Sequence, residues 1–323
     1  MSARSSEGVR PRALALAAGP LLALATALAL ACAGELALRA APHALLPKGM
    51  YGAGRFDREL GLAVAGSRVY YNRVRFVVRD PNSLGFMDVE HAAAKPPGTL
   101  RVGFFGDSYV ESVQVPLESA FFRLLPRASE GRPVEALAFG VSGWGTLHAF
   151  RAAETYVPHF ALDRAVYVFV ENDPADSSYA VQARKRRSPL VLAESSPTPP
   201  GYALRWDRAP GEEAAWLPVA KAIQRHSLLA QLVVVRIRLL RGAGIQIRTR
   251  ADSAAMAGRG RPEDDPAALP TTWLPELRDE AARVSEAILA HWGAEASRAG
   301  VGFSVLYVPR NEDPLAEPGE PRL

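Results

Sequence analysis

In the first half of the chain, the tripeptide Gly106-Asp107-Ser108 follows an apolar run and ends in a serine. The run at 102–105 is typical of a strand, and a helical pattern follows the serine. A serine at the amino end of a helix lies near the positive end of the helix dipole and beside free backbone N–H groups. Both features stabilise an oxyanion that forms on an attacked acyl carbon. The tripeptide therefore indicates a nucleophilic serine, although Gly-Asp-Ser also occurs as a plain turn.

Two further apolar runs end in small or polar residues. Gly143 comes shortly after the run at 134–138, and Asn172 follows the run at 165–170. Ligands bind outside the carboxyl ends of the strands in an open parallel sheet. We therefore expect both loops to converge with Ser108 on one site, where a glycine lets the backbone approach a substrate closely.

The segments that carry Ser108, Gly143 and Asn172, in this order, are three sequence blocks. They resemble those of the SGNH hydrolases, also called the GDSL esterase/lipase superfamily, in its membrane-anchored bacterial form. The resemblance extends from about residue 39 to about residue 310 and includes the lead-in at 82–88. It implies that Ser108 is the nucleophile and that Gly143 and Asn172 complete the oxyanion hole. It also implies a three-layer α/β/α sandwich with a parallel, flavodoxin-like sheet.

The resemblance further implies a catalytic base and its orienting acid, in an Asp-x-x-His block near the carboxyl terminus. No histidine after Ser108 has an aspartate three residues before it. The one Asp-x-x-His in the sequence joins Asp88 to His91, and we interpret it as a coincidence in a surface turn. His148 is the nearest other candidate base by sequence. A C-terminally truncated or frameshifted enzyme is the simplest explanation, and a degenerate, non-catalytic family member is the competing one.

The amino-terminal segment predicts a membrane anchor. Residues 13–34 carry no charge and are dominated by Ala and Leu, and about 20 such residues span a bilayer core. Three arginines precede this stretch, so the positive-inside rule leaves the amino terminus in the cytoplasm. We expect a cytoplasmic tail at 1–12 and a signal anchor at 13–38, preferred over a cleaved signal peptide. The rest of the chain is then periplasmic, held at the inner membrane by a single span.

Composition excludes several classes of protein. The chain has 323 residues and a net charge of only +4, without the basic stripe and interleaved aromatic residues of a nucleic-acid binder. Its basic run at 184–187 is interpreted as a solvated loop or as a contact with an anionic surface or polysaccharide. Cys32 is the only cysteine, so the exported part can form neither a disulfide nor a zinc–thiolate site. We expect no metal and no cofactor.

The alternation of strand and helix patterns predicts an α/β fold with a parallel sheet and helices on both faces. Residues 39–98 form a connector with short strands, and the SGNH-like domain occupies 99–323, where 176–218 is an insertion or lid. An amphipathic helix at 219–240 packs on the sheet or lies near the membrane, and packing is the preferred interpretation. Further helices are predicted at 117–128, 146–157 and 272–300.

Three functions remain open from the sequence. The first is a membrane-anchored serine esterase that acts on O-acyl, for example acetyl, esters of carbohydrate or small substrates in the cell envelope. The second is an O-acyltransferase of an exported polysaccharide, which uses the same nucleophile. The third is a truncated, inactive or binding-only protein. For either chemistry a histidine must accept the Ser108 proton, and Trp144 is an aromatic platform for a sugar ring or a cover over the site.

Overall fold

The computed structural model alternates strands and helices from the amino-terminal helix to the last strand. It describes residues 10–57, 60, 62–129, 131, 133–182, 191–206, 217–237 and 275–309. The helices are α1 (Arg10–Ala40), α2 (Pro42–Leu45), α3 (Ser108–Glu111), α4 (Phe121–Leu124), α5 (Thr146–His159), α6 (Asp173–Ser177), α7 (Tyr179–Gln182), α8 (Leu217–His226), α9 (Leu228–Ile237) and α10 (Pro275–Arg298). The strands are β1 (Gly49–Tyr51), β2 (Gly54–Asp57), β3 (Leu62–Ala65), β4 (Val69–Asn72), β5 (Phe76–Arg79), β6 (Leu100–Gly106), β7 (Val134–Gly140), β8 (Arg164–Phe169), β9 (Val191–Ser195), β10 (Tyr202–Trp206) and β11 (Gly302–Tyr307).

Four parallel strands form the central sheet, in the order β11-β8-β6-β7. The chain runs from β6 outward to β7, then crosses to the other side of β6 for β8 and β11. This reversal of direction places a topological switch point between β6 and β8, where open α/β sheets bind their ligands. The predicted parallel α/β sheet is therefore confirmed.

The two faces of the sheet carry different apolar clusters, because successive side chains of a strand point to opposite faces. Phe105 belongs to the cluster that α5 and α10 cover, together with Leu147 and Ile288. Phe104 belongs to the opposite cluster, where Phe122 of α4 packs. The predicted helices at 146–157 and 272–300 correspond to α5 and α10 within the described residues. The predicted helix at 117–128 is wrong as one element, because two 3-10 turns flank a four-residue α4.

The connector packs onto the parallel sheet through its own small strands. Strands β1, β4 and β5 form an antiparallel sheet, and β2 pairs with β3. Phe86, which follows them, is fully buried and meets Phe139 and Tyr156 edge to face at 5.2 and 5.5 Å between ring centroids. The connector is thus part of the same core as β7 and α5.

Among the residues that the structure describes, one helix is long and apolar enough to cross a membrane. Within α1, residues Gly19–Ala40 have a mean hydropathy of 2.1, and only 6% of the most apolar stretch is buried. The structure therefore contains one apolar helix near the amino terminus, of the kind found in membrane anchors and signal sequences. The end of this helix is bound to the rest of the protein, since Glu35 accepts hydrogen bonds from the backbone N–H groups of Leu228 and Leu229 at 3.1 and 2.9 Å.

The predicted helix at 219–240 is divided in two. Ser227 caps the second part, α9, by accepting a hydrogen bond from the N–H of Ala230 at 3.0 Å, and α8 ends just before it. Leu228 of α9 packs with Leu38 of α1 and Tyr51 of β1, away from the parallel sheet. The preferred interpretation, packing on that sheet, is therefore corrected. Residues 238–240 lie outside the described residues.

A buried arginine joins the connector to the amino end of the sheet. The Arg101 guanidinium donates hydrogen bonds to Glu135 at 2.7 Å and to the backbone oxygens of Ala92, Ala93, Ala94 and Phe160 at 2.7–3.2 Å. The side chain is fully buried. All these acceptors lose their partner together if the guanidinium is removed.

We predict that Arg101→Met lowers the free energy of unfolding by about 2–4 kcal/mol, because it leaves the buried carbonyl group of Phe160 without a donor and removes one of the two partners of the half-buried Glu135. Arg205→Met is the matched control, since Arg205 pairs with Glu194 at 3.0 Å on the surface and its loss costs less than about 1 kcal/mol. Urea unfolding of the full chain in detergent micelles, followed by near-UV circular dichroism, measures both. Equal small losses in the two variants would contradict the assigned role.

Candidate active site

The three predicted loops lie side by side at the carboxyl edge of the sheet. In the strand register Gly106 pairs with Gly140 of β7 and with Val168 of β8. Ser108, Gly143 and Asn172 therefore follow the ends of three adjacent parallel strands. Below, loop 1 is residues 107–112, loop 2 is residues 141–145 and loop 3 is residues 170–173.

Loop 1 orients the serine through its neighbouring aspartate. Asp107 Oδ1 accepts a hydrogen bond from the N–H of Tyr109 at 2.9 Å, and Oδ2 accepts one from Ser108 Oγ at 3.3 Å. Ser108 is half-buried and Asp107 is buried. Burial raises the pKa of Asp107, while hydrogen bonds from Tyr109, Asn172 and Ser108 act against this shift. Asp107 thus shapes the turn that presents the hydroxyl group.

Loop 2 is a tight turn held by a buried carboxylate. The N–H of Trp144 donates to the carbonyl of Val141 at 3.0 Å, and Gly143 has a φ of +85°, which suits glycine. Glu111 Oε2 accepts hydrogen bonds from both the N–H, at 3.1 Å, and the hydroxyl of Ser142. The Gly143 N–H has no acceptor within the described part of the chain, so it is available to a ligand.

Glu111 is almost fully buried, at 4% exposed. Burial raises the pKa of this carboxyl group, and the hydrogen bonds from Ser142 and the charge of Arg79 act against the rise. Glu111 lies on α3, one turn after Ser108, so it fixes loop 2 relative to the nucleophile. The sequence does not reveal this role, because nothing in the helical pattern shows that position 111 is buried.

Loop 3 is closed by another buried carboxylate. Asp173 Oδ2 accepts hydrogen bonds from the Tyr167 hydroxyl at 2.6 Å and from the N–H of Val170 at 3.0 Å. Burial raises the pKa of Asp173 to about 7, while the bonds from Tyr167 and Val170 act against it. This closure presents the exposed Asn172, whose amide donates to Asp176 at 3.0 Å.

Loop 2 contacts both of the other loops. Glu111 and Ser142 join loops 1 and 2. Asn172 of loop 3 is close enough to Asp107 of loop 1 to act against the rise in pKa that burial gives its carboxyl group. Loops 2 and 3 meet at Gly145, where a Cβ atom would lie 2.4 Å from the carbonyl oxygen of Asp173. Only glycine allows this approach of two backbones. Ser108, Gly143 and Asn172 are therefore held in one site.

The hydrogen bonds of His148 give it a structural role. Nδ1 accepts from the N–H of Gly145 at 2.9 Å, so Nε2 carries the proton and donates to the carbonyl of Val191 at 3.0 Å. The ring is fully buried, and burial lowers its pKa to about 4 against the bond to Val191. His148 is a neutral group that fixes loop 2, in place of the general base considered from the sequence.

His91 lies at the other end of the sheet. Its ring nitrogens bind Glu135 at 2.7 Å and Asp88 at 3.1 Å, and Glu135 lies five residues before Gly140, about 17 Å along β7. Asp88 is buried and also accepts from the N–H of Ala138 at 3.0 Å. The interpretation of Asp88 and His91 as a surface turn is corrected, because they form a buried cluster that anchors the connector to β7.

None of the six histidines, all of which are described, bonds to the Ser108 hydroxyl. Beyond the two above, His159 ends α5, His226 ends α8, and His291 accepts from or donates to the Tyr202 hydroxyl at 3.0 Å. His43 lies on α2. The site therefore holds the Ser108 hydroxyl and the unpaired N–H of Gly143, and no histidine contacts Ser108 among the described residues.

Trp144 belongs to the core. The indole is 3% exposed, its Nε1 donates to the carbonyl of Ala63 at 3.2 Å, and Phe86 packs against it edge to face. This burial gives Trp144 a packing role in place of the sugar platform or cover considered from the sequence. It also ties loop 2 to the β2–β3 hairpin.

The predicted insertion at 176–218 contains regular structure where it is described. The hairpin of β9 and β10 contacts α10, and Glu280 accepts hydrogen bonds from the N–H and hydroxyl groups of Ser195 at 2.8 and 2.7 Å. The basic run at 184–187 lies outside the described residues. Across the described ranges, no group of three His, Cys, Asp or Glu residues is placed to bind a metal ion.

We predict that His91→Gln destabilises the protein more at pH 5.5 than at pH 8.5. Burial disfavours the charged ring, but the hydrogen bonds that the ring donates to the Asp88 and Glu135 carboxylates outweigh this and raise the pKa of His91. A raised histidine pKa contributes stability below the unfolded value of 6.5, and this contribution is lost as pH rises through the folded pKa. At pH 5.5 we expect a loss on the order of 1–3 kcal/mol.

The exposed His43 supplies the control, since His43→Gln changes unfolding little at either pH. Urea unfolding at the two pH values measures both variants. A His91→Gln loss that is equal at pH 5.5 and pH 8.5 would show that the ring contributes no charge to the cluster.

Comparisons with known proteins add no relative. No family model matches the chain, and no curated protein matches it. The function is therefore argued from the site itself and from the resemblance that its three blocks carry.

Proposed function

We propose that this protein is a membrane-anchored serine esterase of the SGNH type, acting on O-acyl esters of carbohydrate or small substrates in the cell envelope. The observation that carries the proposal is the convergence of Ser108, Gly143 and Asn172 on one edge of a parallel sheet. The strand order also fits a flavodoxin-like α/β/α sandwich. In this proposal α1 spans the inner membrane once, with a cytoplasmic amino terminus and a periplasmic main domain.

The chemistry begins with attack of Ser108 Oγ on the acyl carbonyl carbon. The electrons of the C=O π bond form an oxyanion, and the serine proton passes to a base. When the C=O bond re-forms, the bond to the alkoxy oxygen breaks, and this oxygen takes the proton from the base and leaves as the alcohol. Water then hydrolyses the acyl-serine to the carboxylic acid and returns the hydroxyl group of Ser108. The free N–H of Gly143 is one oxyanion donor. The Asn172 amide donates one of its two N–H groups to Asp176, which leaves the other for the oxyanion.

Attack by Ser108 requires a proton acceptor that reaches its hydroxyl group. None of the six histidines of this sequence does so. The resemblance implies a histidine from an Asp-x-x-His block. Free imidazole has the same ring as the histidine side chain, so it can supply the proton acceptor at the half-buried Ser108.

A binding-only protein is the second candidate, and the placement of the histidines favours it. Such a protein would hold an acyl group at the Gly143 donor without forming a covalent bond to Ser108. An acyltransferase would share the serine chemistry and differ only in the acceptor of the acyl group. The assay below separates all three.

We predict that imidazole accelerates p-nitrophenyl acetate hydrolysis by the full chain in detergent micelles, beyond the rate of imidazole alone. Ser108→Ala abolishes this increment, because the acyl-serine can no longer form. Ser297→Ala is the matched control, since Ser297 is an exposed serine near the end of α10, and it retains the increment. Gly143 and Asn172 supply the oxyanion donors, and losing one such donor typically lowers kcat by about 10²–10³.

Equal increments in wild type and Ser108→Ala would overturn the esterase and leave a binding role. Adding a soluble sugar as acceptor distinguishes transfer from hydrolysis. If acetylated sugar forms and the release of free acetate falls by the same amount, the protein is an acyltransferase.

A further inference from the structure

The first helix after the hairpin of β9 and β10 exposes apolar side chains. Val219 and Ile223 of α8 are 61% and 57% exposed and lie four residues apart, on one face of the helix. Lys221 and Arg225 lie on the same helix. A short helix with apolar residues on one face and basic residues beside them is typical of a segment at a membrane interface.

The corner between α8 and α9 is fixed to the end of the apolar helix α1. Glu35 accepts hydrogen bonds from Ser227, Leu228 and Leu229 at 2.9–3.1 Å. Arg39 bonds Glu35 at 2.6 Å and the carbonyl oxygen of His226. Because a half-buried carboxylate of α1 accepts bonds from the backbone at the start of α9, the end of α8 is held close to the last turns of α1.

The position of these contacts sets the depth of α8 in a membrane. Glu35 lies five residues before Ala40, where the apolar span ends, and five residues of helix rise about 8 Å. Interfacial helices lie about 5–10 Å into the boundary between headgroups and acyl chains. If α1 spans the bilayer, α8 therefore lies at the level of the lipid headgroups.

A basic pocket opens at the same place. Its volume is about 180 Å³, and its lining includes Arg39, Arg68, Arg225 and His226. Arg39 and Arg68 are paired with Glu35 and with Asp80, respectively. Arg225 donates only to the carbonyl of Lys221, at 3.4 Å, and forms no ion pair with a carboxylate of the described residues.

We propose that α8 and this basic pocket form a contact with the surface of an anionic phospholipid membrane. Val219 and Ile223 insert at the boundary between headgroups and acyl chains, and Arg225 binds lipid phosphate groups at the pocket. The membrane is the one that α1 spans, so the inference rests on the membrane anchorage in the proposed function. It adds a second attachment, which fixes how the domain is oriented on the membrane.

Depth-dependent quenching tests this contact. The full chain is reconstituted in vesicles of phosphatidylcholine with or without phosphatidylglycerol, with nitroxide-labelled lipid as quencher. A fluorophore is attached at Ile223→Cys in a Cys32→Ser background. Val305→Cys is the matched control, since Val305 is also exposed, at 46%, but lies on β11 of the parallel sheet. We expect several-fold stronger quenching at position 223 than at position 305, and stronger quenching when phosphatidylglycerol is present.

Charge is tested by a second pair of variants. Arg225→Gln lowers the ratio of lipid-contacting to solvent-exposed label at position 223 about five-fold in anionic vesicles, as expected for one basic residue at a charged surface. Arg298→Gln, at the far end of α10, leaves the ratio unchanged. An Arg225→Gln ratio equal to that of Arg298→Gln would overturn the role of the pocket.

A label on the native Cys32 tests the membrane anchor separately from the surface contact, because Cys32 lies exposed within the span of α1. A label on Cys32 that is quenched, with position 223 no more quenched than position 305, overturns the surface contact and leaves the anchor intact. A label on Cys32 that is not quenched overturns the anchor and the contact together. Neither result alters the serine-dependent assay, which needs no membrane.

Discussion

The candidate site depends on a buried carboxylate that must be fully hydrogen-bonded. Glu111 is removed from water by the packing of α3 on β7, and an unpaired carboxylate in that position would be strongly unfavourable. Ser142 supplies the two donors that it needs, from its N–H and its hydroxyl group. The free energy that keeps Glu111 paired therefore also keeps loop 2 next to Ser108. Asp173 Oδ2 holds loop 3 through Tyr167 and Val170, while its Oδ1 is buried without a partner among the described residues.

The two ends of the parallel sheet use buried charge for different purposes. At the amino end, Glu135 accepts hydrogen bonds from Arg101 and His91, and Arg101 also donates to carbonyl groups of the connector. These bonds attach the connector to β6 and β7. At the carboxyl end, the buried carboxylates orient the loops, and the Gly143 N–H has no protein partner among the described residues. The first arrangement stabilises the fold, and the second leaves hydrogen-bonding capacity for a ligand.

The sequence predicts the elements of the site that depend on local pattern. Ser108, Gly143 and Asn172 can be placed because each follows an apolar run, and parallel neighbours bring such positions to one edge. The sequence does not predict the burial of Trp144 or His148, since that depends on Ala63 and Val191, which are distant in the chain. The division at Ser227 is equally hidden, because Glu35, 192 residues earlier, supplies part of the cap.

The central claim is that three loops form one site around a nucleophilic Ser108. Its most direct test is to treat the full chain with a fluorophosphonate in imidazole buffer and to map the adduct by mass spectrometry. The account predicts a single adduct on Ser108, which forms at least about ten-fold more slowly in Glu111→Ala, because loop 2 then no longer holds the Gly143 donor in place. An adduct on another residue, or an equal rate in Glu111→Ala, would contradict it.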